Sequence, residues 1–218
     1  MAWQEQKMAL LACFLRGLTG VRCLWPHARA SRRQSIYYAN HTSHLDALLI
    51  WACLPRAARM RTRPVAAADY WNKSRMRRFF ALEIFNAVLV PRPAEHFSRE
   101  DAQRSLAPLH AALEQGDSLI FFPEGTRNKG EARLLPFKNG LHRLAQAHPD
   151  VDLVPVWLDN LNRVLPKGQW LPLPLLCSLI MGEALPPCTT GEHHKLFLRR
   201  AAAALLDLAP CRAELSTS

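Results

Sequence analysis

The sequence predicts a single α/β domain with a mixed, mostly parallel central sheet flanked by helices, preceded by an N-terminal helix at a membrane interface. Short apolar runs that suit strands alternate along the chain with longer stretches that suit helices. Several polar clusters directly follow strand-like runs, and in parallel sheets ligands bind beyond the carboxyl ends of the strands. A chain of 218 residues with 49% hydrophobic residues is long enough to bury the core of one large domain.

The strands are predicted from apolar runs that are bounded by turn residues. They are expected at 35–40, 63–69, 86–91, 117–123, 152–159 and 176–185. The helices are predicted from their apolar periodicity and their start and stop signals, such as Ser98 and Gly116 around one helix and His193–His194 at the start of the last. They are expected at 44–54, 70–85, 98–116, 137–148 and 191–209.

The N-terminal stretch 8–25 is the most membrane-like segment of the sequence. Arg16 and Arg22 interrupt it, so it is a poor spanning helix, and it has no signal-peptide cleavage site. Two interpretations remain: a helix lying in the membrane interface, or a soluble helix packed on the core. The predicted division is an N-terminal membrane-association helix at 1–30 and the domain that carries the activity at 31–218.

The positive charge of the chain is concentrated in its first half. Residues 1–92 hold 15 Lys and Arg against 4 Asp and Glu, whereas residues 93–218 hold 13 against 14. Such a surface attracts anionic lipid, nucleic acid or an acidic partner, or it is simply solvated. A nucleic-acid-binding protein would interleave exposed aromatic residues with basic ones. The aromatic residues lie mostly in apolar runs, so no nucleic acid is expected as a partner.

The cysteines are scattered and form no C-x-x-C motif, which predicts reduced thiols, no metal site and no disulfide. The six are Cys13, Cys23, Cys53, Cys177, Cys188 and Cys211.

The polar cluster "NHTSHLD" at 40–46 permits two interpretations. Ser43 and Asp46 have the spacing of a helix capping box. Alternatively, His41 is a general base that removes a proton from a hydroxyl, and Asp46 fixes the tautomer of its ring. The spacing alone does not decide between them.

A second polar cluster, "PEGTR" at 123–127, follows a buried strand. Backbone amides in a glycine turn, together with the guanidinium of Arg127, are suited to binding an anion.

The two clusters together resemble the phospholipid/glycerol acyltransferase family, whose members include 1-acylglycerol-3-phosphate acyltransferases. Glu124 follows His41 by 83 residues. Four blocks in the order typical of the family lie at 40–46, 86–92, 122–127 and 154–156. The second block departs from the family pattern, because Asn86 and Leu89 stand where the family usually has Gly and Phe.

The resemblance implies an O-acyltransferase that moves a fatty acyl group from acyl-CoA or acyl carrier protein to the hydroxyl of a lysophospholipid. The expected acceptor is 1-acyl-sn-glycerol-3-phosphate, which gives phosphatidic acid. The alternatives are another lysophospholipid or a lyso-ornithine-type lipid as acceptor and, in a different class, a nucleic-acid-binding protein. The acyl thioester is a co-substrate, and no other cofactor is expected.

His41 is the expected base and Asp46 its partner. No covalent acyl-enzyme is expected, since the sequence has no G-x-S-x-G and no cysteine in the motif blocks. The residues expected to bind substrate are Arg92, Glu124, Gly125, Thr126 and Arg127 on the acceptor side and Pro155 on the acyl side. An anionic membrane surface and acyl carrier protein are expected partners. The expected location is the cytoplasmic face of the cell membrane, peripheral or monotopic.

Overall fold

The computed structural model describes residues 2–25, 33–71, 73–91, 99–159, 177–189 and 191–210. Arg92, expected to bind phosphate, and Ser98, expected to begin a helix, lie outside the described residues.

The described strands form one seven-stranded sheet in the order β1-β7-β6-β2-β5-β3-β4. Neighbouring strands run parallel except β6 and β7, which are antiparallel, so the predicted mixed, mostly parallel sheet is confirmed. The strands are β1 (Arg22–Leu24), β2 (Ser35–Ala39), β3 (Thr62–Ala67), β4 (Val88–Val90), β5 (Ser118–Phe121), β6 (Asp152–Asp159) and β7 (Ser178–Met181).

Helices cover both faces of the sheet, as the sequence predicts. They are α1 (Ala2–Thr19), α2 (Asp46–Cys53), α3 (Arg56–Arg59), α4 (Ala68–Trp71), α5 (Arg75–Phe79), α6 (Arg99–Glu114), α7 (Gly140–Ala147) and α8 (His194–Asp207). The single helix predicted at 70–85 is wrong in detail. Helix α5 continues directly into a π-helical segment, Phe80–Ile84, and Asn86 adopts a φ of 47° just after it.

Strand β1 changes the predicted organisation of the N-terminus. Helix α1 ends at Thr19, and Gly20 with a φ of 60° turns the chain into β1, which pairs with β7. The helix expected to reach residue 25 therefore stops earlier, because these residues pair with a strand instead. The sheet also begins before the predicted boundary at residue 30.

Two hydrophobic cores lie on opposite faces of the sheet. Strand β2 is buried along its whole length, as is usual for a central parallel strand. Its residues alternate between the cores: Tyr37 packs with α1 and α2, whereas Tyr38 packs with α6, α7 and α8. Helix α1 buries Ala12 and Leu15 in the first core. One face of the helix is therefore packed on the domain, as the second interpretation of the N-terminus expects, while its opposite face exposes Leu10 and Phe14.

Cys23 in β1 and Cys53 at the end of α2 form a disulfide. The expectation of no disulfide is therefore wrong for this pair. Their pairing depends on β1 belonging to the sheet, which the sequence pattern did not predict. Among the described cysteines, Cys13, Cys177 and Cys188 are free.

Candidate active site

The loop after β2 is fixed by a buried asparagine. Asn40 is 2% exposed, and its side-chain amide accepts from Leu158 N at 2.8 Å and donates to Leu158 O at 2.9 Å. These two bonds tie the carboxyl end of β2 to β6. The chain then leaves the sheet through His41 and enters α2 at Asp46.

His41 and Asp46 form a hydrogen-bonded pair. Nδ1 of His41 lies 2.9 Å from Oδ2 of Asp46, whose side chain is fully buried. The same oxygen accepts from the backbone amides of Thr42 at 2.7 Å and Ser43 at 2.9 Å. Asp46 thus orders the loop before α2 and also faces the ring. The capping-box interpretation is wrong as stated, because α2 begins at Asp46 itself and its N-cap, Leu45, makes no side-chain cap hydrogen bond. Because a carboxylate only accepts, Nδ1 carries the proton and Nε2 is left as the basic nitrogen.

The turn after β5 holds the backbone of His41. Glu124 is 2% exposed, and its carboxylate accepts from His41 N at 2.7 Å through Oε1 and from Leu135 N at 2.9 Å through Oε2. Asn128 N donates to His41 O at 2.7 Å. Burial raises the pKa of Glu124, while the two amide hydrogen bonds act against that rise. Both backbone polar groups of His41 are therefore bound by one turn.

The imidazole of His41 is presented to a cavity. It stacks on Phe122, with ring centroids 4.1 Å apart and planes inclined by 19°. About a fifth of the His41 side chain, 21%, is exposed. Within the described part of the chain, Nε2 has no hydrogen-bond partner, so it is available to a bound substrate.

The cavity beside His41 has a volume of about 830 Å³ and two chemically different ends. Near His41, cationic side chains and the glycine turn line it: Gly125, Thr126, Arg127, Lys129, Lys138 and Arg143. Farther in, the lining is apolar and aromatic: Leu48, Val65, Tyr70, Trp71, Ala81, Phe85 and Val90. A ligand with an anionic group and a hydrocarbon chain matches both ends.

The cationic end carries positive charge that the described residues do not neutralise. In the part of the chain that the structure describes, Arg127, Lys129, Lys138 and Arg143 make no ion pair or hydrogen bond through their side chains. Lys138 lies over Gly125: a Cβ there would come within 2.9 Å of Nζ, and the φ of Gly125 is +66°. Glycine is thus needed both for the turn and for the approach of the lysine.

The structure brings most of the predicted site residues together, but not all. Gly125, Thr126 and Arg127 line the cavity with His41. The Glu124 carboxylate instead accepts hydrogen bonds from two backbone amides and does not line the cavity. Its predicted contact with substrate is therefore not seen, and its place in the structure is that of a positioning residue. Pro155 is not at the cavity: it lies within β6, and its carbonyl accepts from Gly182 N at 2.9 Å. The expectation that Pro155 shapes the acyl side is not supported by this placement.

Several residues that line the cavity carry no strong signal in the sequence. In the sequence alone, Lys138 is equally compatible with a phosphate ligand and with a surface lysine, and Arg143 on α7 belongs to no motif. His44 lies in the first polar cluster without a paired spacing, yet it stacks on Tyr70 with ring centroids 5.2 Å apart and lines the cavity. The "FKNG" stretch directly after the second polar cluster was the available signal for Lys138.

Comparison with known proteins agrees with this geometry. The "1-acyl-sn-glycerol-3-phosphate acyltransferase" of Limnanthes alba is 30% identical over 164 residues, which are 74% of this chain and 53% of the relative. The enzyme of the same name from Salmonella typhimurium is 36% identical over 86 residues, 39% of this chain and 32% of the relative. The chain spans about half the length of the first of these curated relatives.

The fold also has a close counterpart among solved structures. The crystal structure of the "1-acyl-sn-glycerophosphate (LPA) acyltransferase, PlsC" from Thermotoga maritima superposes with a TM-score of 0.71, covering 98% of this chain and 81% of that one at 19% identity. A family model described as "Acyltransferase" matches residues 22–159, more than half of the chain and including both polar clusters. The chain therefore belongs to the acyltransferase family.

Proposed function

We propose that the protein transfers a fatty acyl group from a thioester donor, acyl-CoA or acyl carrier protein, to the free hydroxyl of 1-acyl-sn-glycerol-3-phosphate. The observation that carries the proposal is the His41–Asp46 pair, which opens onto a cavity with a cationic end and an apolar end. The names of the relatives support the same acceptor.

The base in this reaction is the neutral imidazole of His41. Nε2 takes the proton of the acceptor hydroxyl as its oxygen attacks the thioester carbonyl carbon. The new C–O bond forms, the C–S bond breaks, and the imidazolium returns the proton to the leaving sulfur. Asp46 stabilises the imidazolium through Nδ1. Transfer is direct, without an acyl-enzyme.

The oxyanion that develops on the thioester carbonyl needs hydrogen-bond donors. The turn after β5 supplies candidates. The Gly125 amide already donates to Phe122 O at 3.0 Å, whereas the amides of Thr126 and Arg127 donate to no group in the described ranges. We assign these two amides to the oxyanion.

The acceptor phosphate is assigned to the cationic end of the cavity. Arg127 forms a fork that can hold two phosphate oxygens, and Lys138 over Gly125 adds a point charge. Arg143 and Lys129 supply further positive charge for the phosphates of the donor. The apolar end receives a hydrocarbon chain.

We assign the reaction to an anionic membrane surface, on the cytoplasmic face of the cell membrane. The excess of positive charge in residues 1–92 is suited to anionic lipid. Helix α1 exposes Leu10, Phe14 and Leu18 on the side away from the core, which suits an interfacial helix. Among the described residues, none of the helices combines the length and apolar character needed to span a bilayer.

The test is mass spectrometry of the lipids formed from a panel of lyso-acceptors with both donor types. The panel holds 1-acyl-sn-glycerol-3-phosphate, lysophospholipids with larger head groups, and a lyso-ornithine lipid. We expect phosphatidic acid as the main product. A main product from any other acceptor would replace the proposed one, and no product from any acceptor would contradict the proposed function.

The variant Arg127→Ala sharpens this test. Loss of the fork should raise the KM for the phosphate-bearing acceptor and lower its kcat/KM, with a smaller change in the donor KM. Arg199→Ala on α8, whose side chain is exposed away from the cavity, is the matched control. If acceptors with and without a terminal phosphate lose activity equally, Arg127 does not bind the phosphate.

A further inference from the structure

The segment of α5 and the following π-helical turn has an exposed apolar face. Met76 is 70% exposed, Phe79 is 54% exposed and Phe80 is 45% exposed. Residues three and four positions apart lie on the same side of a helix, so these three side chains form one patch, the α5 patch. The rings of Phe79 and Phe80 contact each other edge to face, with ring centroids 6.0 Å apart. Large apolar side chains clustered in solvent mark an interaction surface.

The charges around the α5 patch have one predominant sign. Residues 73–84 contain four cationic residues and a single acid, Glu83. Lys73, Arg75 and Arg78 have exposed side chains beside the patch. Apolar residues flanked by lysine and arginine are typical of a helix that lies in the head-group region of an anionic bilayer.

The same segment forms a wall of the cavity. Ala81 and Phe85 line the apolar end, and Tyr70 and Trp71, which precede α5, line it too. Phe85 is anchored to α2 by an edge-to-face contact with Trp51, with centroids 5.9 Å apart. The outer face of the segment is thus exposed and apolar, while its inner face belongs to the place proposed for a hydrocarbon chain.

We propose that the α5 patch inserts into the outer part of an anionic leaflet, so that the acyl chain of a membrane lipid enters the cavity beside Ala81 and Phe85 without crossing water. The route of the lipid rests on the proposed function, but the insertion does not. This contact is separate from the one assigned to α1, because it involves the wall of the cavity itself.

A nucleic acid is the main rival for the same surface. Phe79 and Phe80 directly follow Arg78 in the sequence, so exposed rings stand next to exposed basic side chains, a combination that also suits a single-stranded nucleic acid. Two observations favour lipid. The patch contains Met76, which offers no ring to stack on a base, and the segment borders an apolar cavity.

The first experiment is vesicle co-sedimentation of the full chain at low and high salt. Phosphatidylcholine vesicles with and without phosphatidylglycerol are compared for the wild type and the triple variant Met76→Ser, Phe79→Ser, Phe80→Ser. Insertion of apolar side chains is insensitive to salt, so at high salt the variant should bind anionic vesicles roughly tenfold or more weakly than the wild type. Leu196→Ser with Leu206→Ser is the control, since both leucines are exposed singly on α8. It should bind within about twofold of the wild type, because isolated surface leucines carry no such role.

A second measurement keeps the test valid if the triple variant folds poorly. Tryptophan is introduced as Phe79→Trp or, for control, Leu196→Trp, and the fluorescence is measured with vesicles brominated in their acyl chains. Quenching beyond that of the wild type is expected for Phe79→Trp alone. The proposal is overturned if neither substituted tryptophan is quenched, if both are quenched equally, or if the folded triple variant binds vesicles at high salt as the wild type does. Binding of single-stranded DNA at physiological salt that is lost in the triple variant, without vesicle binding, would assign the patch to nucleic acid instead.

Turnover separates the proposal from the proposed function. The triple variant should keep its rate on a water-soluble short-chain acceptor and lose activity on the same head group embedded in vesicles. An equal loss on both acceptors would contradict the membrane route. If the wild type transfers no acyl group at all, the proposed function fails, while the binding and quenching results still decide whether the patch inserts.

Discussion

The loop after β2 and the turn after β5 each contain one buried carboxylate, yet the two carboxylates do different work. Asp46 concentrates its hydrogen bonds on one oxygen, which faces the His41 ring and two loop amides. Glu124 uses one oxygen for the amide of His41 and the other for the amide of Leu135. Asp46 therefore fixes the tautomer and orientation of the imidazole, and Glu124 fixes the position of the His41 backbone.

The difference follows from how the strands end. Strands β2 and β5 are parallel neighbours, so their carboxyl ends bring the two polar clusters to one edge of the sheet. The side chain of His41 turns toward α2, where Asp46 begins the helix, and its backbone faces the turn at Glu124. A residue can be placed to a fraction of an ångström only when both its ring and its backbone are held.

Of substitutions at the two carboxylates, Asp46→Asn is expected to have the larger effect on turnover. The amide NH2 of asparagine can donate to Nδ1 of His41 and so favours the tautomer that is protonated at Nε2. We therefore expect kcat to fall by roughly 10²–10⁴-fold with little change in the acceptor KM. Steady-state kinetics would measure it, with Asp150→Asn on an exposed turn as the control. A loss of less than a few-fold in a folded Asp46→Asn protein would show that the ring does not depend on this carboxylate.

A smaller effect on rate and a clearer effect on stability are expected for Glu124→Gln. An amide side chain has a single acceptor oxygen, so either His41 N or Leu135 N is left unbonded, at a cost of about 1–3 kcal/mol in the free energy of unfolding. Urea denaturation would measure this change, and Glu131→Gln, exposed farther along the chain, is the control. If Glu124→Gln retains its stability but loses as much kcat as Asp46→Asn, Glu124 acts on the substrate rather than on the backbone of His41.

The sequence predicted the features that are carried by local patterns. The strands follow from apolar runs, and the turn at Gly125 follows from a glycine-containing cluster after a buried strand. The spacing of His41 and Asp46 left two interpretations open, and the family resemblance favoured the catalytic one. The remaining features depend on contacts between distant segments. Arg143 enters the site because α7 packs beside the turn, and Cys23 reaches Cys53 because β1 pairs with β7 at the edge of the sheet.

Two local predictions also failed because tertiary structure outweighed propensity. The apolar stretch to residue 25 suits a helix, but its end pairs with a strand instead. The amphipathic stretch at 70–85 suits one helix, but α4 ends at Trp71 and α5 begins at Arg75, and the π-helical segment that follows α5 places Ala81 at the cavity. Neither the pairing of β1 nor the π-helical segment can be recognised from the local sequence pattern.

The central claim is that Asp46 acts through the imidazole of His41, and the most direct test is kcat/KM for four proteins: wild type, His41→Ala, Asp46→Asn and the double variant. Thermal unfolding of each protein checks that all four are folded. We expect His41→Ala to lose roughly 10²–10⁴-fold or more, and the double variant to lose no more than about twofold beyond it, since residues that act as one unit are not additive. Near-normal turnover in His41→Ala, or a double variant whose loss equals the product of the two single losses, would contradict the account.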